Sequence, residues 1–222
     1  MAAPDLGPAP GRLLVFEGID GCGKTTQLQL LRQWLPASGL MPAGARLVIS
    51  REPGGTALGL ALRALLLDPP PASSPCPTAE LLLYAADRAQ HVREILLPAL
   101  EAGDWVVSDR FTGSTVAYQG YGRGLSLELI ATLEAIATAG VSADLTLWLD
   151  LPLESSLLRR GDRPADRIEA GGAALLERVR GGFGVLALER GWQRIDAMPP
   201  AHEVAASIRA AISGRFGVRR DG

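Results

Sequence analysis

The chain has 222 residues, 47% of them hydrophobic, and a formal charge of −2. That length suits one domain with a sizeable core, and the near-neutral balance excludes the global basic field that nucleic-acid binders carry. Two cysteines, Cys22 and Cys76, are too few for a disulfide framework, and no apolar run reaches the roughly 18 residues that a membrane span needs.

Residues 1–11 are Ala/Pro-rich, read as a flexible tail, and lack the charged start and apolar run of a signal peptide. With both cysteines expected as free thiols, the protein reads as cytoplasmic. Arg12–Glu17 (RLLVFE) predicts a short buried strand that runs into Gly18-Ile19-Asp20-Gly21-Cys22-Gly23-Lys24-Thr25-Thr26. From Lys24 the spacing of Leu28, Leu31 and Leu35 predicts a helix that stops before Pro36. A second strand is expected over 46–50 and a helix over Thr56–Leu67, separated by the sharp turn Arg51-Glu52-Pro53-Gly54-Gly55. The proline-rich segment 68–77 reads as a loop. Thr78 is expected to cap a long helix to about Ala102, bent or ended near Pro98. A third strand follows at Trp105–Ser108, then a glycine-rich, irregular stretch over 111–124 and a helix over Ser126–Ala139. Leu145–Leu151 predicts a fourth strand, with a helix to about Arg160 and a polar, mobile lid at about 160–172. A helix over Ala173–Arg190, a strand at Trp192–Asp196, a helix over Ala201–Ser213 and a tail from 215 complete a single domain, 12–214. Five apolar strands alternating with helices predict an α/β fold: a parallel sheet covered on both faces, with its ligands beyond the carboxyl ends of the strands.

The stretch from Gly18 to Thr25 matches G-x-x-x-x-G-K-[ST] at every fixed position, after a strand and before a helix, as a P-loop requires. Of 22 basic side chains only Lys24 is lysine, a slim point charge where a planar guanidinium would crowd a tight loop. The loop amides and helix N-terminus suit the phosphates of a nucleoside triphosphate, Lys24 the phosphoryl group in transit, and Thr25 a Mg²⁺ ion. Asp20 is unusual in an anion-binding loop. It reads either as a solvent-facing residue or as one that meets a hydroxyl or the metal. Arg51 and Glu52, at the tip of strand two, suit a phosphate clamp and its orienting partner. Asp109 and Arg110, at the tip of strand three, suit metal support and bidentate phosphate binding. The run Arg159-Arg160-Gly161-Asp162-Arg163-Pro164-Ala165-Asp166-Arg167 has the composition of a closing arginine-bearing lid. The two histidines, His91 and His202, read as structural or surface residues. An acceptor that is already anionic, such as a phosphate monoester, needs positioning and charge neutralisation more than a base.

FEGIDGCGKTT, REPGGT, DRFTGSTVAYQGYGRG and DRIE occur in an order and at spacings that resemble the thymidylate kinase family, which transfers phosphate from ATP to dTMP. The resemblance covers about Arg12 to Ile212 and implies a nucleoside monophosphate kinase-like P-loop fold, Mg²⁺, ATP as co-substrate, dTMP as acceptor and a homodimer packed through helices. It places Tyr84 on the thymine ring, Arg88 on its polar edge, Arg51 and Arg110 on the acceptor phosphate, Ser114 and Thr115 near the base, and Gln119 as a further polar contact. Tyr118 falls beside the sugar 2′ carbon and Asp20 beside the 3′-hydroxyl or the metal. Gly21 stands where one branch of the family carries arginine, so the resemblance assigns the catalytic arginines to the lid, Arg160 and Arg163 foremost, with Arg167 as a further lid arginine. Arg159 resembles the residue stacked on adenine, and the resemblance has Asp166 and Glu169 orient the lid arginines or the metal, with Glu169 as a metal ligand. Phe111 departs from the tyrosine or histidine of many members. Two other readings stand beside this one: a kinase of another nucleotide or metabolite on the same scaffold, and an ATP-binding regulatory protein with a dead site.

Overall fold

The computed structural model describes residues 11–70, 73–161 and 167–217. Strand β1 (Arg12–Glu17) is buried from its second residue onward because it lies at the centre of the sheet. Strands β2 (Leu47–Arg51), β3 (Trp105–Asp109), β4 (Leu145–Asp150) and β5 (Gln193–Asp196) complete it in the order β2-β3-β1-β4-β5, all parallel. Parallel neighbours demand crossovers, and helices on both faces supply them. The main core joins Leu14, Phe16, Val107, Leu147 and Leu149 to helices on one face, and Leu13, Val15 and Val106 build a smaller cluster on the other. The alternation along β1 divides these two sets.

Helix α1 (Lys24–Trp34) starts at Gly23, whose φ of 99° is left-handed. It stops before Pro36, as expected, and a 3₁₀ turn over Leu35–Ala37 then takes the proline in its first turn, where no amide donor is needed. Helix α2 (Ala57–Leu67) begins at Thr56, whose hydroxyl accepts from the Gly59 N–H at 2.9 Å. Helix α3 (Pro77–His91) is entered at Cys76, so Thr78 sits inside the first turn and does not cap it. The chain continues through a π-helical segment (Val92–Leu96) into α4 (Leu97–Glu101). Pro98 therefore neither ends nor breaks the run. The widened turn ahead of it takes up the carbonyl register that a missing N–H would disturb.

The largest departure from expectation is at 111–124, which is helical: α5 (Thr112–Thr115) flows into a π-helical segment (Val116–Gly122). The glycines there mark close packing. A Cβ at Gly120 would lie 2.5 Å from Leu127 Cδ2, and one at Gly122 would lie 2.8 Å from Val179 Cγ2. Helices α6 (Leu127–Thr138), α7 (Leu153–Arg160) and α8 (Ala173–Glu189) follow as expected, with a 3₁₀ turn at Glu169–Gly171. Helix α9 (Ala201–Phe216) runs past the expected end at Ser213 and past the domain limit at 214. Phe216 packs edge-on against Trp105 with ring centroids 4.9 Å apart, which holds the last turn in place. Among the described residues no helix is long and apolar enough to cross a membrane.

Candidate active site

The carboxyl ends of β1, β2, β3 and β4 converge on one cleft with two compartments. The first holds the P-loop. Gly18 has φ 138°, and a Cβ there would meet the Leu149 carbonyl at 2.7 Å, so the loop lies hard against β4. Gly21 has φ 80°, and a Cβ would meet the Ser156 carbonyl of α7 at 2.8 Å. A long side chain at that loop position would displace α7, in line with basic residues coming from elsewhere. Lys24 is buried, and its Nζ donates to Gly18 O (2.9 Å) and Ile19 O (3.1 Å). The ammonium is thereby held within the loop that presents its amides to an anion. Cys22 is a buried free thiol, pushed up in pKa by that burial. Thr25, Thr26, Arg51, Asp109, Arg159 and Arg160 line the same compartment. Arg159 also donates to Met198 O at 3.0 Å. Arg163 and Asp166, and the side chain of Glu169, lie outside the described residues.

Among the described residues no three His, Cys, Asp or Glu side chains cluster as a metal cage. One orphan stands out: Asp109 Oδ1 is buried without a hydrogen-bond partner. Asp109 and Thr25 flank the same two cavities. A carboxylate oxygen and a hydroxyl beside a phosphate loop are oxygen donors of the kind a Mg²⁺ ion shared with substrate phosphates takes, so the residues fit such an ion.

The second compartment is lined by Tyr84, Arg88, Ser114, Thr115, Tyr118 and Gln119 with Phe111, Leu67 and Ile168. Asp20, Glu52, Arg63 and Arg110 line both compartments and form their junction. Arg110 sits at the tip of β3 with φ 74°, its N–H on Phe16 O at 2.9 Å and its carbonyl accepting from Ser108 Oγ at 2.8 Å. Its guanidinium donates to Gly18 O (3.1 Å), Ser114 Oγ (2.9 Å) and Asp20 Oδ1 (2.8 Å), and lies 5.2 Å from the Tyr118 ring centroid. Asp20 therefore does not simply face solvent. Its second oxygen accepts from Tyr118 Oη at 3.0 Å. Burial would raise its pKa, yet Arg110 and Lys24 hold it well below the usual carboxylate range. Burial, opposed by Arg110 and reinforced by Asp20, pushes the Tyr118 phenol well up, so it stays a donor.

Two residues, Glu17 and Arg63, carry the site without a sequence signal strong enough to mark them. Glu17 ends β1 fully buried. Its Oε1 accepts from the Phe111 and Ser114 amides at 3.0 Å each, and its Oε2 accepts from Ser114 Oγ at 2.6 Å. Arg63, on α2, donates to Pro53 O at 2.9 Å. Burial and the neighbouring Arg51 and Arg110 push its pKa down, as expected of cations gathered for an anion. It is the single charged side chain of an otherwise apolar helix, which was its only clue. Glu52 differs from its expected part beside Arg51. It turns to Arg88 Nε (2.8 Å) and His91 Nδ1 (2.8 Å), and His91 Nε2 reaches Ser50 Oγ (2.6 Å). Arg88 donates further to Phe111 O and Thr115 Oγ1, both at 2.9 Å. His91 is thus structural, as read, and His202 is exposed on α9.

Asp87 adds a pH-dependent element to this frame. Its Oδ1 accepts from the Gly54 N–H at 3.0 Å, and burial followed by the nearby Glu52 raises its pKa to about 6. A raised native pKa stabilises the fold below the unfolded value of about 3.9 and loses that contribution as pH rises through about 6. Asp87→Asn removes the titration. Its stability relative to the parent should therefore rise between pH 4 and pH 7.5, by on the order of 2 kcal/mol in urea melts at the two pH values. A pH-independent difference would show that Asp87 titrates normally.

A parallel five-stranded sheet with a P-loop at its central strand, and a second compartment joined to it by arginines, defines a nucleotide phosphotransferase. The model of the family described as thymidylate kinase matches residues 16–208. A thymidylate kinase of Synechococcus sp. (strain CC9311) is 64% identical over 205 residues, covering 92% of this chain and 97% of the relative. One from Prochlorococcus marinus (strain MIT 9313) is 62% identical over 207 residues, covering 93% and 96%. The crystal structure of thymidylate kinase from Ehrlichia chaffeensis superposes with a TM-score of 0.72 at 30% identity, covering 91% of this chain and 99% of that one. The chain belongs to the thymidylate kinase family.

Proposed function

We propose that the two compartments divide one reaction: ATP phosphates on the P-loop, dTMP in the second cavity, and the transferred phosphoryl group at the Asp20–Arg63–Arg110 junction. The chain phosphorylates dTMP to dTDP with ATP as donor. The observation that carries the division of roles is the junction itself, where guanidinium groups and a P-loop carboxylate line both cavities. Arg110 and Arg51 clamp the acceptor phosphate, with Arg63 beside them. Tyr84 stacks on the base while Arg88, Ser114, Thr115 and Gln119 meet its polar edge. Thr115 Oγ1 already accepts from Arg88, which leaves its hydroxyl proton for a carbonyl of the base. Tyr118 crowds the sugar 2′ position, and Asp20 orients the 3′-hydroxyl.

The acceptor oxygen is anionic near neutral pH, so these residues need only hold it in line and neutralise charge. Lys24 and the loop from Gly18 through Thr26 hold the donor phosphates, Arg159 lies at the adenine, and Arg160 and Arg163 meet the phosphoryl group in transit. Thr25, Asp109 and Glu169 would hold Mg²⁺, which would supply Lewis-acid charge to the phosphate oxygens. Leu58, Leu65, Leu82, Leu129 and Ile136 are exposed on α2, α3 and α6, and α3 packs against each of the other two. This apolar face supports a homodimer, and sedimentation should give twice the monomer mass. The near-neutral charge and the two cysteines, too few for a disulfide framework, support a cytoplasmic enzyme that binds neither nucleic acid nor membrane.

An ADP-release assay over dTMP, dUMP, dCMP, dGMP and AMP tests the acceptor, and a preference for any purine defeats the assignment. Tyr118→Ala should narrow the gap between dTMP and its ribose counterpart. Arg160→Ala should lower kcat more than it raises the KM for dTMP.

A further inference from the structure

Glu80 lies in the first turn of α3 with no exposed surface, and four donors converge on its carboxylate. Oε1 accepts from Gln119 Nε2 at 2.8 Å and from Arg123 Nε at 2.7 Å. Oε2 accepts from Arg123 Nη2 at 2.9 Å and from Arg167 Nη2. Burial alone would raise its pKa, but hydrogen bonds from Arg123, Gln119 and Arg167 hold it below the ordinary carboxylate value. Arg167, expected in the lid, also donates from Nε to Leu66 O at 2.7 Å, and its N–H meets Leu67 O at 3.2 Å. Leu67, Gln119 and Ile168 all line the acceptor cavity, so Glu80 ties together α2, the π-helical segment and the chain at 167–168 around that cavity.

The chemistry of this hub fixes a direction. An ionised carboxylate only accepts, so the NH₂ end of Gln119 must face Glu80, and the amide carbonyl is the end left for the cavity. We propose that Glu80 is a positioning residue for base selection, locking the Gln119 amide so that it offers the pyrimidine an acceptor and withholds a donor. This rests on the proposed seating of the base against Gln119. Thymine carries a donor at N3–H, whereas cytosine presents an acceptor lone pair at N3. The locked amide accepts from the first and repels the second.

Glu80→Gln tests the lock. The single carbonyl of the new side chain belongs where Arg123 and Arg167 both donate, which places its NH₂ at the former Oε1, facing Gln119. Gln119 must then turn its carbonyl to that NH₂ and its own NH₂ to the cavity. The ratio of kcat/KM for dTMP over dCMP should fall at least about tenfold in Glu80→Gln. Arg123→Gln removes an ion pair from the same carboxylate but leaves it ionised, and should keep the ratio within about twofold of the parent. A Glu80→Gln ratio equal to that of Arg123→Gln, with activity lowered equally on both substrates, would overturn the inference and leave Glu80 a packing residue. A parent enzyme with no preference for dTMP over dCMP would instead defeat the seating of the base. Should Glu80→Gln fail to fold, the parent itself decides the matter. With ¹⁵N-labelled glutamine, the Gln119 side-chain amide protons should be shifted downfield and exchange slowly, and exchange at the rate of a solvated amide would overturn the proposal.

Discussion

Replacing Lys24 by alanine is expected to lower kcat by about a thousandfold or more with the fold retained. The ammonium is buried and held by Gly18 O and Ile19 O, so its position is set before any nucleotide arrives. A preorganised charge costs little reorganisation as negative charge builds on the phosphoryl oxygens, and none of the 21 arginines occupies that point. Lys24→Arg should lose nearly as much, because a planar guanidinium does not fit between the same two carbonyls. Steady-state kinetics on both variants, alongside circular dichroism, give the measurement. Turnover within tenfold of the parent in Lys24→Ala would remove the lysine from the chemical step.

Glu17→Ala should destabilise the protein by about 3 kcal/mol, because the Phe111 amide would be left buried and unpaired and the Ser114 amide would keep only its longer bond to Phe111 O. The same loss releases Ser114 Oγ, which also accepts from Arg110, so the KM for dTMP should rise more than the KM for ATP. Glu17→Gln is the informative contrast. It keeps one carbonyl for the two amides, and its NH₂ can donate to the serine hydroxyl, so most of the stability should survive. Denaturant melts of both variants decide this. Equal losses in the two would mean that the charge of Glu17, and not its hydrogen-bonding shape, holds the loop.

Much of this architecture could be read from the sequence because its signals are local. Apolar runs marked all five strands to within one or two residues, and the P-loop, REPGGT and the Asp109–Arg110 pair are contiguous words at strand tips. What stayed hidden is what folding joins. Glu80 meets Gln119 and Arg167 across 39 and 87 residues, and Glu17 meets Ser114 across 97, with nothing in the neighbouring sequence to announce either pairing. Residues 111–124 misled for a different reason. Glycine there is required by neighbouring helices that approach too closely for a Cβ, and a turn and a tight helix contact ask for the same residue. Thr78 misled because local propensity yields where a long helix is packed along its length.

Arg110 is one of two non-glycine residues among those described with a left-handed backbone, the other being Ala139. Glycine would relieve that conformation by roughly 1 kcal/mol. A programme that improves thermal tolerance by backbone statistics would therefore rank Arg110→Gly among its first substitutions. It would obtain a sturdier scaffold from which the guanidinium shared by the two compartments had been deleted. Heat resistance and turnover pull in opposite directions at this one position, and screens of this enzyme for durability should read catalysis in the same well.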